Sequence, residues 1–228
     1  MAEPSKRSTY DPDVDPVATY ARKIQPNKAF YDQVIGTKTD GTRTLVYEDV
    51  LEPHTGNAFF VKAGQVIRME QRPSLHNGRT QIADVLFVTP DLKQISDHLN
   101  NSAFEGLHPR LYGGVWSQRQ YTEKMATLIA DEFPYELLDA GVNHISFAAH
   151  CNPEWIMLAH GNEHAGFNSC HTNFIHGFNR IPAVQAIGDE EQRRAKVRWL
   201  ADRNDINIFQ PNTLKPDENG VTRGMMYP

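Results

Sequence analysis

The pattern of apolar and polar positions divides the chain into two parts. From residue 43 to residue 89, four strand-length runs are rich in β-branched and aromatic side chains: 45–50, 58–62, 65–69 and 81–88. Turn residues separate them, at Pro53-His54-Thr55-Gly56, Ala63-Gly64 and Asn77-Gly78, and Lys62-Ala63-Gly64-Gln65 predicts a tight hairpin. Beyond residue 90 helical spacing takes over. Leu92, Ile95 and Leu99 share one helical face, as do Tyr121, Met125, Leu128, Ile129 and Phe133, with a helical continuation over 136–140 that stops at Gly141.

Between those two helical patterns, residues 110–116 read as a strand broken by Gly113-Gly114. A strand over 144–149 leads into Asn152-Pro153, the N-cap and first turn of a helix that stops at Gly161. Asn168 is placed to cap a second short helix ending near Gly177. Asp189-Glu190-Glu191 opens a third that runs to about Asp202, acidic at its start and basic later, as the helix dipole favours. Residues 205–209 read as a last strand. These elements predict an α+β fold: an antiparallel, β-rich sandwich or partly closed barrel with helices packed at one end. Residues 1–40, polar and rich in Pro and Asp apart from one short helix starting at Asp15-Pro16, read as an N-terminal arm, and 41–228 as a single metal-binding domain.

Composition excludes more than it selects. With 39% hydrophobic and 22% charged residues, a formal net charge of −5 and no basic stripe, the chain offers no nucleic-acid interface. No apolar run approaches the ~20 residues of a membrane helix. The first residues, Met-Ala-Glu-Pro-Ser-Lys-Arg, have no apolar signal core, so the expected compartment is reducing and cytoplasmic, and the two cysteines read as thiols rather than a disulfide. No repeat, phosphate-cradling glycine loop or serine-hydrolase elbow is present; Ser146 lacks the flanking glycines.

The candidate chemistry gathers in residues 144–176. Both cysteines, Cys151 and Cys170, lie there with six of the ten histidines: His144, His150, His160, His164, His171 and His176. Thiolate and imidazole together suit zinc, and a catalytic zinc takes three protein ligands and leaves a fourth position for water or substrate. Both thiols stand at junctions that lead into helices, where backbone N–H groups favour thiolate. Free core cysteines among unrelated surface histidines are the alternative. For the third ligand, His164 leaves enough chain to turn back towards Cys170, whereas His171 lies roughly 100° round the helix from it; His171 and His150 come next. Asp84 is the other singular residue, a carboxylate inside an apolar strand that has to be paired, bonded or turned to water.

Phe167-Asn-Ser-Cys-His-Thr-Asn-Phe174 resembles the His-Pro-Asn-Cys-Arg-Asp-Asn segment of the urea-carboxylase-associated family, and residues 144–151 resemble that family's His-Asp-x-x-Phe-Gly-Ala-Cys segment. Residues 61–68 and 83–87 are similar to its first strand pair, and Asn207-Ile-Phe-Gln-Pro-Asn212 to its Asn-Leu-Phe-Met-Asn loop. The matches spread thinly over residues 58–220. The family histidine three residues before the second cysteine is Phe167 here, and the family glycine and alanine before the first are Ala149 and His150. The resemblance implies a metal site on Cys151 and Cys170 and an acid at Asp84. It also implies a small carbon–nitrogen substrate, since the family includes carboxyguanidine deiminase subunits and a zinc domain of trimethylamine N-oxide demethylase.

The expected function is a zinc-dependent hydrolase of a guanidino, urea or amide compound in nitrogen metabolism. Cys151, His164 and Cys170 would hold Zn2+, Asp84 and Glu163 would move protons, and Asn173 and Asn212 would orient substrate. A metal-dependent C–N lyase of the demethylase kind and a non-catalytic subunit with a structural zinc are the alternatives. The expected partners are a small-molecule substrate and either further copies of the chain or a paired paralogous subunit. The exact substrate stays open.

Overall fold

The computed structural model describes residues 28–37, 41–71, 83–105, 111–131, 142–144, 150–164, 166, 168–203, 205–209, 211–213 and 225–226. It is an α+β structure of short elements. In chain order these are α1 (Lys28–Gly36), β1 (Ala83–Val85), α2 (His98–Glu105), β2 (Gly114–Trp116), β3 (Lys124–Thr127), β4 (Val142–His144), α3 (Pro153–His160), a 3-10 turn (Asn162–His164), α4 (Cys170–Phe178), α5 (Pro182–Gln185), α6 (Glu190–Ala201), β5 (Ile206–Ile208), β6 (Pro211–Thr213) and β7 (Met225–Met226). All strand pairs are antiparallel, in three small sheets: β1 with β5, β2 with β3, and β4–β6–β7. Isolated bridges, Val88 to Ile95 and Ser96 to Ser117, tie the first two together.

The helix signals of the second half form much as their caps dictate. Asn152 accepts the Trp155 N–H at 2.7 Å and opens α3, which ends at Gly161 with φ 103°, a backbone angle that suits glycine. Asp189 accepts the Gln192 N–H at 2.7 Å and opens α6. The α4 cap is Ser169 rather than Asn168, because Ser169 and Thr172 close a reciprocal capping box.

Helix packing makes the core. Val197, Leu200 and Ala201 of α6 meet Phe178 of α4, Val184 of α5, and Leu92 and Ile95 of the segment after β1. A smaller cluster, Val115 and Ile206 with Phe87, Ala126 and Ile208, lies between the β1–β5 and β2–β3 pairs.

Two stretches depart from their local pattern. The helix expected from Tyr121 onwards is strand β3, paired as Gly114 to Thr127, Val115 to Ala126 and Trp116 to Lys124. Its i, i+4 spacing is satisfied as well by a hairpin, whose turn closes on Gln118 (Tyr121 N–H to Gln118 O, 2.9 Å). The helix expected at Leu92 starts instead at His98, because residues 89–95 form a turn that hands Ile95 to the core and Ser96 to a bridge. Fully buried Asn101 accepts the Trp116 N–H at 2.6 Å, and Asn100 donates to Ser117 O at 2.6 Å. This polar helix supplies partners to the hairpin backbone.

Residues 45–50, 58–62 and 65–69 form neither helix nor strand, and only the 62–65 turn of the expected hairpin forms (Gln65 N–H to Lys62 O, 3.1 Å). β-propensity measures fit to a sheet surface and does not name a partner strand. The same segment crosses α4 closely: Asn168 donates to His54 O at 3.1 Å, Arg180 to Asn57 Oδ1 at 3.2 Å, and a Cβ on Gly56 would stand 2.1 Å from Asn173 O. Residues 28–36 of the expected arm form α1, where Tyr31 stacks on Tyr112 and its hydroxyl lies 3.0 Å from Thr127 Oγ1. The short helix expected at Asp15-Pro16 lies outside the described residues.

Candidate metal centre

Two helix starts bring the cysteines together. Cys151 immediately precedes the N-cap of α3, and Cys170 is the first residue of α4. A helix leaves its first N–H groups without partners inside the helix. At α4 the Cys170 N–H is directed to Cys151 Sγ at 3.2 Å and the His171 N–H to Cys151 O at 3.0 Å, while Thr172 is served by Ser169. The start of α4 therefore clasps Cys151, and the two sulfurs stand 3.2 Å apart as free, half-buried thiols.

Asp84 and His150 lie beside the pair, and Asp205 lies against both of them. The β1–β5 ladder pairs Asp84 with Asn207, two residues after Asp205, so both carboxyls come to the thiols from one small sheet. Burial, and then the charge of Asp205, push Asp84 up to about 7, against a hydrogen bond with Cys170. The Cys170 thiol lowers Cys151 to about 6 despite the burial that opposes it, and the Cys170 backbone N–H adds to the effect. Cys170 is itself raised, by its bond with Cys151, by burial and by Asp84. Groups so close and so buried oppose one another's ionisation, which raises Asp84 and Cys170 while Cys151 is lowered.

His150 completes the arrangement. Its ring packs edge-on against Phe174 at 5.2 Å and parallel to His171 at 5.9 Å. Burial pulls its pKa down, but Asp205 above all, with Asp84 and Cys151, raises it overall. His150 Nδ1 lies 3.3 Å from Asp205 Oδ1, close enough for charge pairing but without hydrogen-bond alignment. His171 turns outward to Asp202, Nε2 to Oδ1 3.0 Å.

The buried polar atoms bear on whether a cation fits. Asp205 is 0% exposed, and both its oxygens, with Asp84 Oδ1 and His150 Nδ1, lack hydrogen-bond partners among the described residues. Buried polar atoms are costly unless paired. A cation bound to the thiolates would offset that cost, and sulfur, carboxylate and imidazole are zinc donors. With Zn–S about 2.3 Å, tetrahedral thiolates stand about 3.8 Å apart, so the sulfurs would separate by roughly half an ångström. Among the described residues no three His, Cys, Asp or Glu side chains already converge as a ligand set. The donor types are those zinc takes.

The remaining sequence candidates are distributed as follows. His164 lies in the 3-10 turn after α3, its ring 5.9 Å from that of His160. The eight residues of α3 span about 12 Å, so this contact seats His164 at the end of α3 away from Cys151. Glu163 stands beside it, 75% exposed, with Oε1 3.8 Å from His164 Nδ1. Asn173 is half-buried on α4, three residues after Cys170. Asn212 pairs with Asn143 and Met226 across β6. The structure thus brings together Cys151, Cys170 and Asp84, with His150 beside Cys151. It adds Asp205, which stands just before the last strand and which no pattern in the sequence singled out.

Comparison with known proteins bears on the fold. No protein-family model and no curated protein matches the chain. The crystal structure of a DUF1989 family protein from Silicibacter pomeroyi superposes with a TM-score of 0.58 at 18% identity, covering 93% of this chain and 75% of that one. The chain shares that protein's fold. DUF1989 is the urea-carboxylase-associated family that the cysteine segments resemble. No helix among the described residues is long and apolar enough to cross a membrane.

Proposed function

We propose that the chain is a zinc-dependent hydrolase of a small carbon–nitrogen compound, of guanidino, urea or amide type. The observation that carries this reading is the thiol pair, 3.2 Å apart, with the buried carboxyl of Asp84 bonded to Cys170 and one oxygen of Asp84 and both of Asp205 without hydrogen-bond partners among the described residues. Cys151 and Cys170 would hold the metal, and His150 and Asp84 are the nearest further donors. Bound zinc would polarise a trigonal carbon and bring a water's pKa towards ~7.

The chain's own residues supply the rest. Asp84, held near 7, takes and returns a proton close to neutral pH, as a general acid–base must to release an amine. Asp205 holds His150 and, through its charge, keeps the Asp84 proton in place. Asn173, one helical turn beyond Cys170, offers an amide to orient the substrate.

Metal analysis of protein purified without chelator tests the site. About one zinc per chain is expected, lost in Cys151→Ser and in Cys170→Ser. Full metal content in both variants would overturn it. A panel of guanidino, urea, amide and N-methyl compounds then tests the reaction. Ammonia release supports the hydrolase, whereas formaldehyde release would replace it with the lyase chemistry of a demethylase. Asp84→Asn is expected to lower turnover about 10²–10⁴-fold.

A further inference from the structure

The same two sulfurs carry a second property that does not depend on a metal. Cys151 Sγ and Cys170 Sγ are 3.2 Å apart, nearer than a tetrahedral zinc pair requires, and the Cys170 N–H at 3.2 Å already directs a donor at Cys151 Sγ. Both residues are half-buried rather than sealed, so a small oxidant reaches them. The two are 19 residues apart in sequence, but the clasp of α4 on the Cys151 carbonyl (His171 N–H to Cys151 O, 3.0 Å) fixes the distance between their backbones. The chain has two cysteines, so neither has another intramolecular thiol to compete for it.

We propose that Cys151 and Cys170 form a peroxide-sensing dithiol, which a hydroperoxide closes to an intrachain disulfide and which therefore switches metal binding off. Cys151 thiolate attacks the peroxide oxygen. The O–O bond breaks, hydroxide leaves, and Cys151 becomes a sulfenic acid. The Cys170 sulfur then attacks Cys151 Sγ; the S–S bond forms, and the sulfenic hydroxyl departs as water with the Cys170 proton. The dithiol has lost two electrons and the peroxide has gained them, giving water overall. A disulfide cannot serve as two thiolate ligands, so the oxidised chain gives up zinc. That last consequence rests on the metal reading; closure of the disulfide does not.

The experiment treats metal-free, full-length protein with hydrogen peroxide and follows free thiols, intact mass and non-reducing peptide maps. Both thiols should be lost together, the mass should fall by two hydrogens, and the peptides containing Cys151 and Cys170 should be cross-linked until dithiothreitol is added. Cys170→Ser should stop at a Cys151 sulfenic acid captured by dimedone, which keeps the test valid even if that variant binds no metal. Disulfides only between chains, or independent oxidation of both thiols to sulfinic acids, would overturn the proposal. Zinc-loaded protein is the control for the other reading. If zinc slows the loss of thiols and is released as they close, both proposals stand; if zinc has no effect while the disulfide forms, the peroxide-driven disulfide stands and the metal site, with its switching, fails.

Discussion

At Asp84 the sequence signal and the structural environment meet in one titration. The carboxyl sits near 7 in the fold against an ordinary 3.8, because burial and Asp205 disfavour its charge. A folded-state pKa above the unfolded one means that the folded chain holds the proton more tightly. The fold is therefore unpenalised by this group below about pH 4 and loses stability as pH rises from there to about 7, by on the order of a few kcal/mol at most. Asp84→Asn removes the ionising group. In metal-free protein, the melting temperature of the variant relative to wild type should climb between pH 4 and 7 and level off above; melting curves that stay parallel across that window would show that Asp84 is not held protonated. The thiol pair was legible in the sequence because both cysteines lie in one stretch with six of the ten histidines. Asp205 was not, since its partner Asp84 lies 121 residues away and only the β1–β5 pairing joins them.

Among the elements, α4 determines most of the site, and its start depends on two contacts. Ser169 is 1% exposed and closes the capping box, whereas exposed Asn168 reaches across to His54 O. Ser169→Ala should cost about 1 kcal/mol in chemical denaturation and weaken zinc affinity with it, while Asn168→Ala should cost less. An equal loss in both would return the cap to Asn168. The second contact is Gly56, where any side chain meets the carbonyl of Asn173. Gly56→Ala should destabilise by roughly 2–3 kcal/mol, read as a lower denaturation midpoint, because backbone rather than a flexible side chain has to move. Sequence reading placed Gly56 in a turn, whereas the structure's turn covers residues 53–54 and Gly56 follows it; its close approach to a helix 117 residues later follows from packing and leaves no local pattern.

Among the described residues the larger buried cluster is built mainly by helices. Leu200, 0% exposed, lies where α6 meets α4 and α5, so Leu200→Ala should cost about 2–5 kcal/mol and lower the melting temperature by roughly 5–15 °C. Metal affinity should fall in parallel, since the face that packs on α6 belongs to the helix whose first turn carries Cys170; unchanged affinity in a strongly destabilised variant would uncouple the site from this core. By itself the sequence determined the α+β class, the caps of α3 and α6, the strand at residues 206–208 and the thiols at two helix starts, because caps, helical spacing and rare residues act within a few positions. Tertiary structure decided that residues 124–127 pair as a strand, that the apolar runs over 45–69 form no ladder among the described residues, and that Asp84 and His150, with Asp205 against them, stand beside the thiols. Strand partners and buried charge neighbours are set by contacts over tens to more than a hundred residues, and no local periodicity encodes those.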